Sequence, residues 1–305
     1  MQIGLSAYDI EPRELVELAV AADELGFSSL WLGEHVVLPI GYESAHPTTG
    51  TGEYDHRPRP IVDPATHLVD PLVAFAGCAS RTTSIRLATG IYLLPLRQPL
   101  LAARMVHTLH QLSEGRVVLG VGAGWLEEEF AALGVPFDGR GARLEEHLAL
   151  LRAALAGGPI EHAGPLHPVT GVQLCEKPVD VPVVLGGNTE RAMRRAARLG
   201  DGWFCSGTPE FDDAVRHRDR VLALRAASGQ TGPFPVTVRA PRADPQLLAR
   251  YAEAGFDEVV VWADQVWPAD GDLATKRAAL ADAALRLGVT PRALPAPAVA
   301  TGGHR

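Results

Sequence analysis

A (β/α)8 barrel is the fold that this 305-residue sequence predicts. Three observations point to it. Short, nearly all-apolar runs of strand length recur along the chain, as strands buried on both faces of a parallel sheet require. Segments whose apolar residues recur at helical spacing alternate with them, and eight such pairs can be counted. Several of the runs end in glycine and pass directly into a helix start. An open, doubly wound sheet is the rival arrangement for the same alternation. Residues 1–290 read as one barrel domain, and the Pro- and Ala-rich stretch Pro291–Arg305 as a disordered tail.

The elements follow in order. Ile3–Ala7 forms the first strand, and Pro12 opens a helix with Leu15, Val16, Leu18, Ala19, Ala22 and Leu25 on one stripe, ended by Gly26. Ser29–Leu32 is the second strand. It leads to Gly33, Glu34 and His35 and then to a long loop, Val36–Thr66, without periodicity. Pro71–Ala79 is a helix and Ile85–Gly90 the third strand, continued by Ile91–Pro95 into a bend and by a helix from Gln98 to Leu112. The fourth strand, Val117–Gly122, belongs to the stretch GRVVLGVGAGWLEEEF, where Glu127, Glu128 and Glu129 open a helix at the end that favours acidic residues. A second helix spans Ala142–Ala156, and Gly157–Pro178 reads as an irregular excursion, so long insertions are expected after strands two and four. Val181–Leu185 is the fifth strand, with Asn188 or Thr189 capping the helix Glu190–Leu199. Gly202–Cys205, Val236–Ala240 and Glu258–Trp262 complete the strands. Helices at Pro209–Ala227, Gln246–Ala254 and Asp272–Leu287 follow them.

Composition narrows the class. A net charge of −8 does not suggest a nucleic-acid partner, and Arg191, Arg194, Arg195 and Arg198 lie on one helical stripe that reads as a solvated face. Cys78, Cys175 and Cys205 are scattered and odd in number, which fits reduced thiols in a cytoplasmic protein. No apolar run approaches the roughly 18 residues of a membrane span, and the opening segment reads as a strand rather than a signal sequence. No metal site is expected: His107 and His110 are three apart on an amphipathic helix, with no ligand partner at suitable spacing.

In a barrel of this type, chemistry sits at the C-terminal ends of the strands. Those ends are Glu34 and His35; Gly90, Ile91 and Tyr92; Gly122, Ala123, Gly124 and Trp125; and Gly186, Gly187, Asn188 and Thr189. Small, backbone-baring residues with few titratable groups fit an enzyme whose chemistry is carried by a bound planar cofactor. No carboxylate pair or Ser-His set converges there for hydrolysis. The glycines of strand four either bare backbone to a ligand or only allow a tight turn, and they do not complete the G-x-G-x-x-G fingerprint. Gly186–Thr189 is either a phosphate cradle or a capped turn. His35 is placed for proton transfer, or else tethers the loop. Tyr42, His46, Tyr54 and His56 are candidates to line a substrate lid.

The segments LWLGEHVVLP, RLATGIYLLPLRQPLLAARMVHTLHQLSEGRVVLGVGAGWLEEEFAALGVPF, RGARLEEHL and VVLGGNTERAMRRAARLGDGW resemble the bacterial luciferase-like superfamily, in its branch of coenzyme F420-dependent oxidoreductases. The resemblance implies a (β/α)8 barrel and hydride transfer between the deazaflavin and a small organic substrate. It implies a cofactor ring resting on a bulge at Gly90–Ile91, often with a non-proline cis peptide. It also implies a cofactor phosphate near Ala123, Gly124 and Gly186–Thr189, and His35 behind Glu34 as acid/base. Sugar-phosphate dehydrogenases of the family carry a glutamate where Trp125 stands, which puts that reaction in doubt here. Reduced FMN with dioxygen in a monooxygenase, served by a separate reductase, is the alternative chemistry, and a non-catalytic barrel the third reading. The resemblance implies a homodimer pairing through helices such as Gln98–Leu112, with Leu100, Leu101, Met105 and Leu109.

Overall fold

The computed structural model describes residues 1–46 and 63–291. Eight parallel strands close into a barrel: β1 (Gln2–Ala7), β2 (Ser29–Leu32), β3 (Arg86–Thr89), β4 (Val117–Val121), β7 (Val183–Gly186), β8 (Gly202–Phe204), β9 (Val236–Ala240) and β10 (Glu258–Trp262). The last strand pairs with the first, Gln2 opposite Glu258 through Ser6 opposite Trp262, so no edge is left open. Helices cover the outside in sequence order: α1 (Pro12–Leu25), α2 (Pro71–Ala79), α3 (Pro99–Leu112), α4 (Glu127–Ala132), α5 (Arg140–Leu155), α6 (Glu190–Leu199), α7 (Phe211–Ala227), α8 (Pro245–Glu253) and α9 (Leu273–Leu287). The closed ring rules out the open doubly wound sheet.

Caps set the helix ends where the sequence marks them. Gly26 closes α1 with φ 92°, and Asp70 accepts from the amides of Leu72 and Val73 to start α2. At α6 the cap is Thr189, whose hydroxyl accepts from Ala192 N at 3.2 Å. Asn188 instead spans to the next strand end, donating to Ser206 O and accepting from Ser206 N, both at 2.8 Å.

Gly157–Pro178 is not irregular. It holds an antiparallel hairpin, β5 (Pro159–His162) with β6 (Val169–Gln173), outside the barrel. Ile160 is its one buried residue in either strand, so it lacks the alternating apolar pattern by which a strand is read from sequence.

The core has two parts. Apolar faces of helices pack against outward-facing strand residues, whereas Trp31, Ala88, Val118, Val184, Phe204 and Val260 fill the barrel interior. Trp31 and Phe204 stack there at 4.7 Å and 8°, forming a solid plug under the C-terminal mouth. At the opposite end Glu258 accepts from the Ser28 and Ser29 hydroxyls and from Arg86, so its buried carboxylate is satisfied. Among the described residues, no helix is long and apolar enough to cross a membrane, and no group of three or more His, Cys, Asp or Glu is placed to hold a metal. Cys78, Cys175 and Cys205 form no disulfide among the described residues, and burial pushes the Cys78 thiol up to about 12.

Candidate active site

Above the Trp31–Phe204 plug a cavity of about 840 Å³ opens at the C-terminal ends of the strands. It is in the range of small-molecule sites. Glu34, His35, Gly90, Ile91, Gly122, Ala123, Gly124, Trp125, Gly186, Gly187 and Thr189 all line it, together with His46. Segments 30 to 150 residues apart in sequence thus converge because each follows a barrel strand.

His35 is held from behind. Its Nδ1 lies 2.9 Å from Oε2 of Glu129, and the two side chains are 9% and 1% exposed. The other carboxylate oxygen of Glu129 accepts from the amides of Val36 at 2.5 Å and Val37 at 3.4 Å. With the Nδ1 proton directed to a buried carboxylate, the neutral ring keeps its lone pair on Nε2. That is the geometry of an oriented base.

Glu129 is a residue the sequence reading missed. The run Glu127–Glu129 looks like acids favouring a helix N-terminus, yet α4 has only six residues and its acids reach sideways. Glu128 accepts from the amides of Glu43 and Ser44, and the Ser44 hydroxyl holds its carboxyl down at about 2. Together the two glutamates clamp the start of the long loop after β2. The signal was the run itself: three acids in a row exceed what a short helix end needs.

Trp125 stands at the centre of an aromatic group. It meets the edges of His35 (5.9 Å, 89°), Tyr42 (6.1 Å, 73°) and His46 (4.6 Å, 81°). Burial and the neighbouring His35 push His46 down to about 4, so this ring is neutral near pH 7. Tyr42 packs on the outside of Trp125 and does not line the cavity. Tyr54 and His56 lie outside the described residues.

The floor is the bulge after β3. The Gly90–Ile91 peptide is cis, and Tyr92 N donates to Gly120 O at 2.7 Å, re-joining the sheet. The Ile91 side chain sits between two glycines. A Cβ on Gly122 would lie 1.9 Å from Ile91 Cδ1, and one on Gly186 3.0 Å from Ile91 Cγ2. These glycines leave room for the Ile91 side chain as placed, besides baring backbone to the cavity; Gly124, with φ 79°, is the one of the strand-four set that needs left-handed backbone.

Behind the bulge Glu34 is a strut. Its carboxylate takes Arg97 at 2.7 and 3.0 Å and the amide of Leu93, while burial pushes its pKa up to about 7 against the pull of Arg97. Tyr92 is fully buried beneath the Arg97 guanidinium, 4.0 Å from its ring, and is walled off from the cavity. Asn188 likewise points to Ser206 rather than into the cavity.

Six arginines complete the lining. Arg239, at the end of β9 and 5% exposed, donates to Ser6 Oγ at 3.0 Å and Gly207 O at 3.2 Å with its guanidinium 4.2 Å over Trp262. Arg140 at the start of α5 and Arg191, Arg194, Arg195 and Arg198 along α6 also line the cavity. The helical stripe read as a solvated face thus turns one edge to the site. Spacing gives the stripe but not what faces it.

A parallel barrel with an oriented histidine and a glycine-lined mouth defines the class of a cofactor-binding barrel enzyme. A profile of luciferase-like monooxygenases matches residues 2–243, and the chain belongs to that family. An uncharacterized protein of Mycobacterium tuberculosis is 32% identical over 265 residues, covering 85% of this chain and 91% of that protein. The F420-dependent glucose-6-phosphate dehydrogenase of Beutenbergia cavernae is 32% identical over 234 residues, 72% of this chain and 63% of that one. Among solved structures, the coenzyme F420-dependent tetrahydromethanopterin reductase of Methanopyrus kandleri superposes with a TM-score of 0.71 at 16% identity, over 94% of this chain and 98% of that one, which attests the shared fold.

Proposed function

We propose that this protein is an oxidoreductase that transfers a hydride between coenzyme F420 and a small organic substrate. The observation that carries the reading is the His35–Glu129 pair lining one cavity with the Ile91 bulge and the Gly186–Thr189 turn. Relatives named for F420 dependence support the choice of cofactor.

The residues present suit such a group. The cavity is wide, its floor is backbone and Ile91, and its rim is rich in guanidinium. Both carboxylates that line it are engaged, Glu34 by Arg97 and Glu145 by Arg195 and Arg198, so neither is left to run hydrolysis. When bound, coenzyme F420 supplies the hydride-exchanging carbon of its central ring. The backbone of Ala123, Gly124 and Gly186–Thr189 would hold its phosphate, and the Ile91 bulge would support its ring. His35 Nε2 takes the substrate proton or returns it, while Glu129 fixes the ring orientation and stabilises the imidazolium. Trp125 sets an indole rather than a carboxylate beside His35, which disfavours a sugar-phosphate substrate.

A second copy of the chain is proposed to cover the outer face of α3, where Leu101 is 65% and Leu112 57% exposed beside Met105, with Val73 of α2 70% exposed.

The test is an equilibrium titration of purified protein with coenzyme F420 and, separately, with FMN. Saturable F420 binding with FMN weaker by about tenfold or more supports the reading. Tight FMN binding without F420 binding, together with oxygen uptake on reduced FMN, replaces it with the monooxygenase chemistry.

A further inference from the structure

The β5–β6 hairpin buries only Ile160 from its two strands, so polar contacts carry much of its attachment to the barrel. Glu146 of α5 accepts from the amides of Leu166 and His167 at the hairpin turn, at 2.7 and 2.9 Å on one oxygen, and that oxygen lies 3.7 Å from His162 Nε2. Arg104 of α3 donates to Leu174 O at 2.8 Å. A further tie is a pair of histidines outside the cavity, His147 of α5 and His167 of the hairpin, whose Nε2 atoms face each other at 3.0 Å. His147 is 2% exposed, and its Nδ1 lies 3.1 Å from the carbonyl of Leu94, in the short 3-10 turn Leu94–Leu96 that follows the Ile91 bulge.

A carbonyl only accepts, so His147 Nδ1 carries hydrogen and, in the neutral ring, Nε2 keeps its lone pair. His167 Nε2 then donates to it. One added proton leaves this bond intact, because it can sit on His167 Nδ1 or be shared between the facing nitrogens. Two charge both rings and set N–H against N–H, and the contact turns repulsive. We propose that His147 and His167 form a proton-operated latch that fastens the hairpin to the segment behind the bulge, closed near neutral pH and open in acid. Burial pushes His147 below the ordinary imidazole range, and His167 and Arg143 add to this against the Leu94 carbonyl and Glu146. A ring so depressed contributes attachment that is complete above its ordinary pKa and is lost as pH falls through the folded value. The charged groups facing the pair are Arg143 and Glu146 from α5 and His162 from the hairpin, while the turn after the bulge presents the Leu94 carbonyl. Glu146 does not open with the latch. Against its own burial, the amides of His167 and Leu166 hold its carboxyl below the usual range, and a proton on His162 meets it as a counter-charge.

The experiment is hydrogen exchange of the intact protein at pH 7 and pH 4.5, read by mass spectrometry as protection factors of hairpin peptides relative to barrel-strand peptides. A net hydrogen bond is worth about three- to tenfold in the ratio of closed to open forms, so hairpin protection in the wild-type protein should fall by at least that factor in acid. His167→Phe keeps a ring without nitrogens and should sit at the lower value at both pH values. His167→Gln can donate to neutral His147 through its NH₂ group or, flipped, accept from the charged ring, so it should keep the higher value at both. A wild-type hairpin equally protected at the two pH values overturns the latch, as does a His167→Phe hairpin protected like wild type at pH 7. A loss in acid that His167→Gln shares also overturns it and assigns the loss to Glu146 and His162.

Discussion

Replacing Glu129 by glutamine tests the proton logic of the site without changing its shape. Glu129 now accepts three donors: Val36 N at 2.5 Å and Val37 N at 3.4 Å on one oxygen, and His35 Nδ1 at 2.9 Å on the other. A glutamine has one acceptor oxygen and one donor amide. The backbone amides cannot reverse their polarity, so they claim the oxygen, and the NH₂ group is left facing His35. The imidazole can reverse by moving its proton from Nδ1 to Nε2. A hydrogen bond to a charged group is worth about 1.5–3 kcal/mol, enough to favour one tautomer by tenfold or more. In the wild-type protein the neutral His35 ring therefore carries its proton on Nδ1, and in Glu129→Gln on Nε2. Nitrogen-15 chemical shifts of the ring, assigned by loss of the signal in His35→Asn, read this directly. The variant should also lose about 10²–10⁴ in turnover, the range seen for a mis-oriented base. An Nδ1-protonated ring in both proteins would refute the argument.

Three further outcomes are expected. Gly122→Ala drives a methyl into Ile91 and should cost about 1–3 kcal/mol in urea unfolding, most of it regained in Gly122→Ala with Ile91→Ala; a variant within about 0.5 kcal/mol of wild type would show that Ile91 is not confined there. His46 has a folded pKa of about 4, below its ordinary 6.5, so the stability it contributes is complete above pH 6.5 and declines as pH falls towards 4. Allowing for solvent screening of this half-buried ring, wild type should lose about 1 kcal/mol more than His46→Phe between pH 7 and pH 5, and parallel losses would contradict this. Leu101→Glu with Met105→Glu should convert a dimer to a monomer in light scattering, whereas a monomeric wild-type protein would dismiss the proposed pairing.

The barrel was legible because its strands are buried on both faces and leave unbroken apolar runs between glycine-ended helices. The strand ends were legible for the same reason, which is why His35, Ile91, Trp125 and Gly187 all fall in one cavity. Side-chain direction was not. Tyr92 and Asn188 sit at the right strand ends yet turn away from the cavity, one beneath Arg97 and one towards Ser206, because the bulge at Gly90–Ile91 breaks the two-residue period before Tyr92 re-joins the sheet, and Asn188 lies beyond the last paired residue of its strand. Glu129, Arg97 and Arg239 escaped notice because each acts through partners distant in sequence. The β5–β6 hairpin escaped because it buries almost nothing.

The central claim is tested most directly by a crystal structure of the protein grown with coenzyme F420. The account predicts the deazaflavin ring resting against Ile91, its phosphate at the Gly186–Thr189 turn, and His35 Nε2 facing the ring's hydride-exchanging carbon across a space fit for a small substrate. A ring bound elsewhere, or one whose reactive carbon faces away from His35, would contradict it.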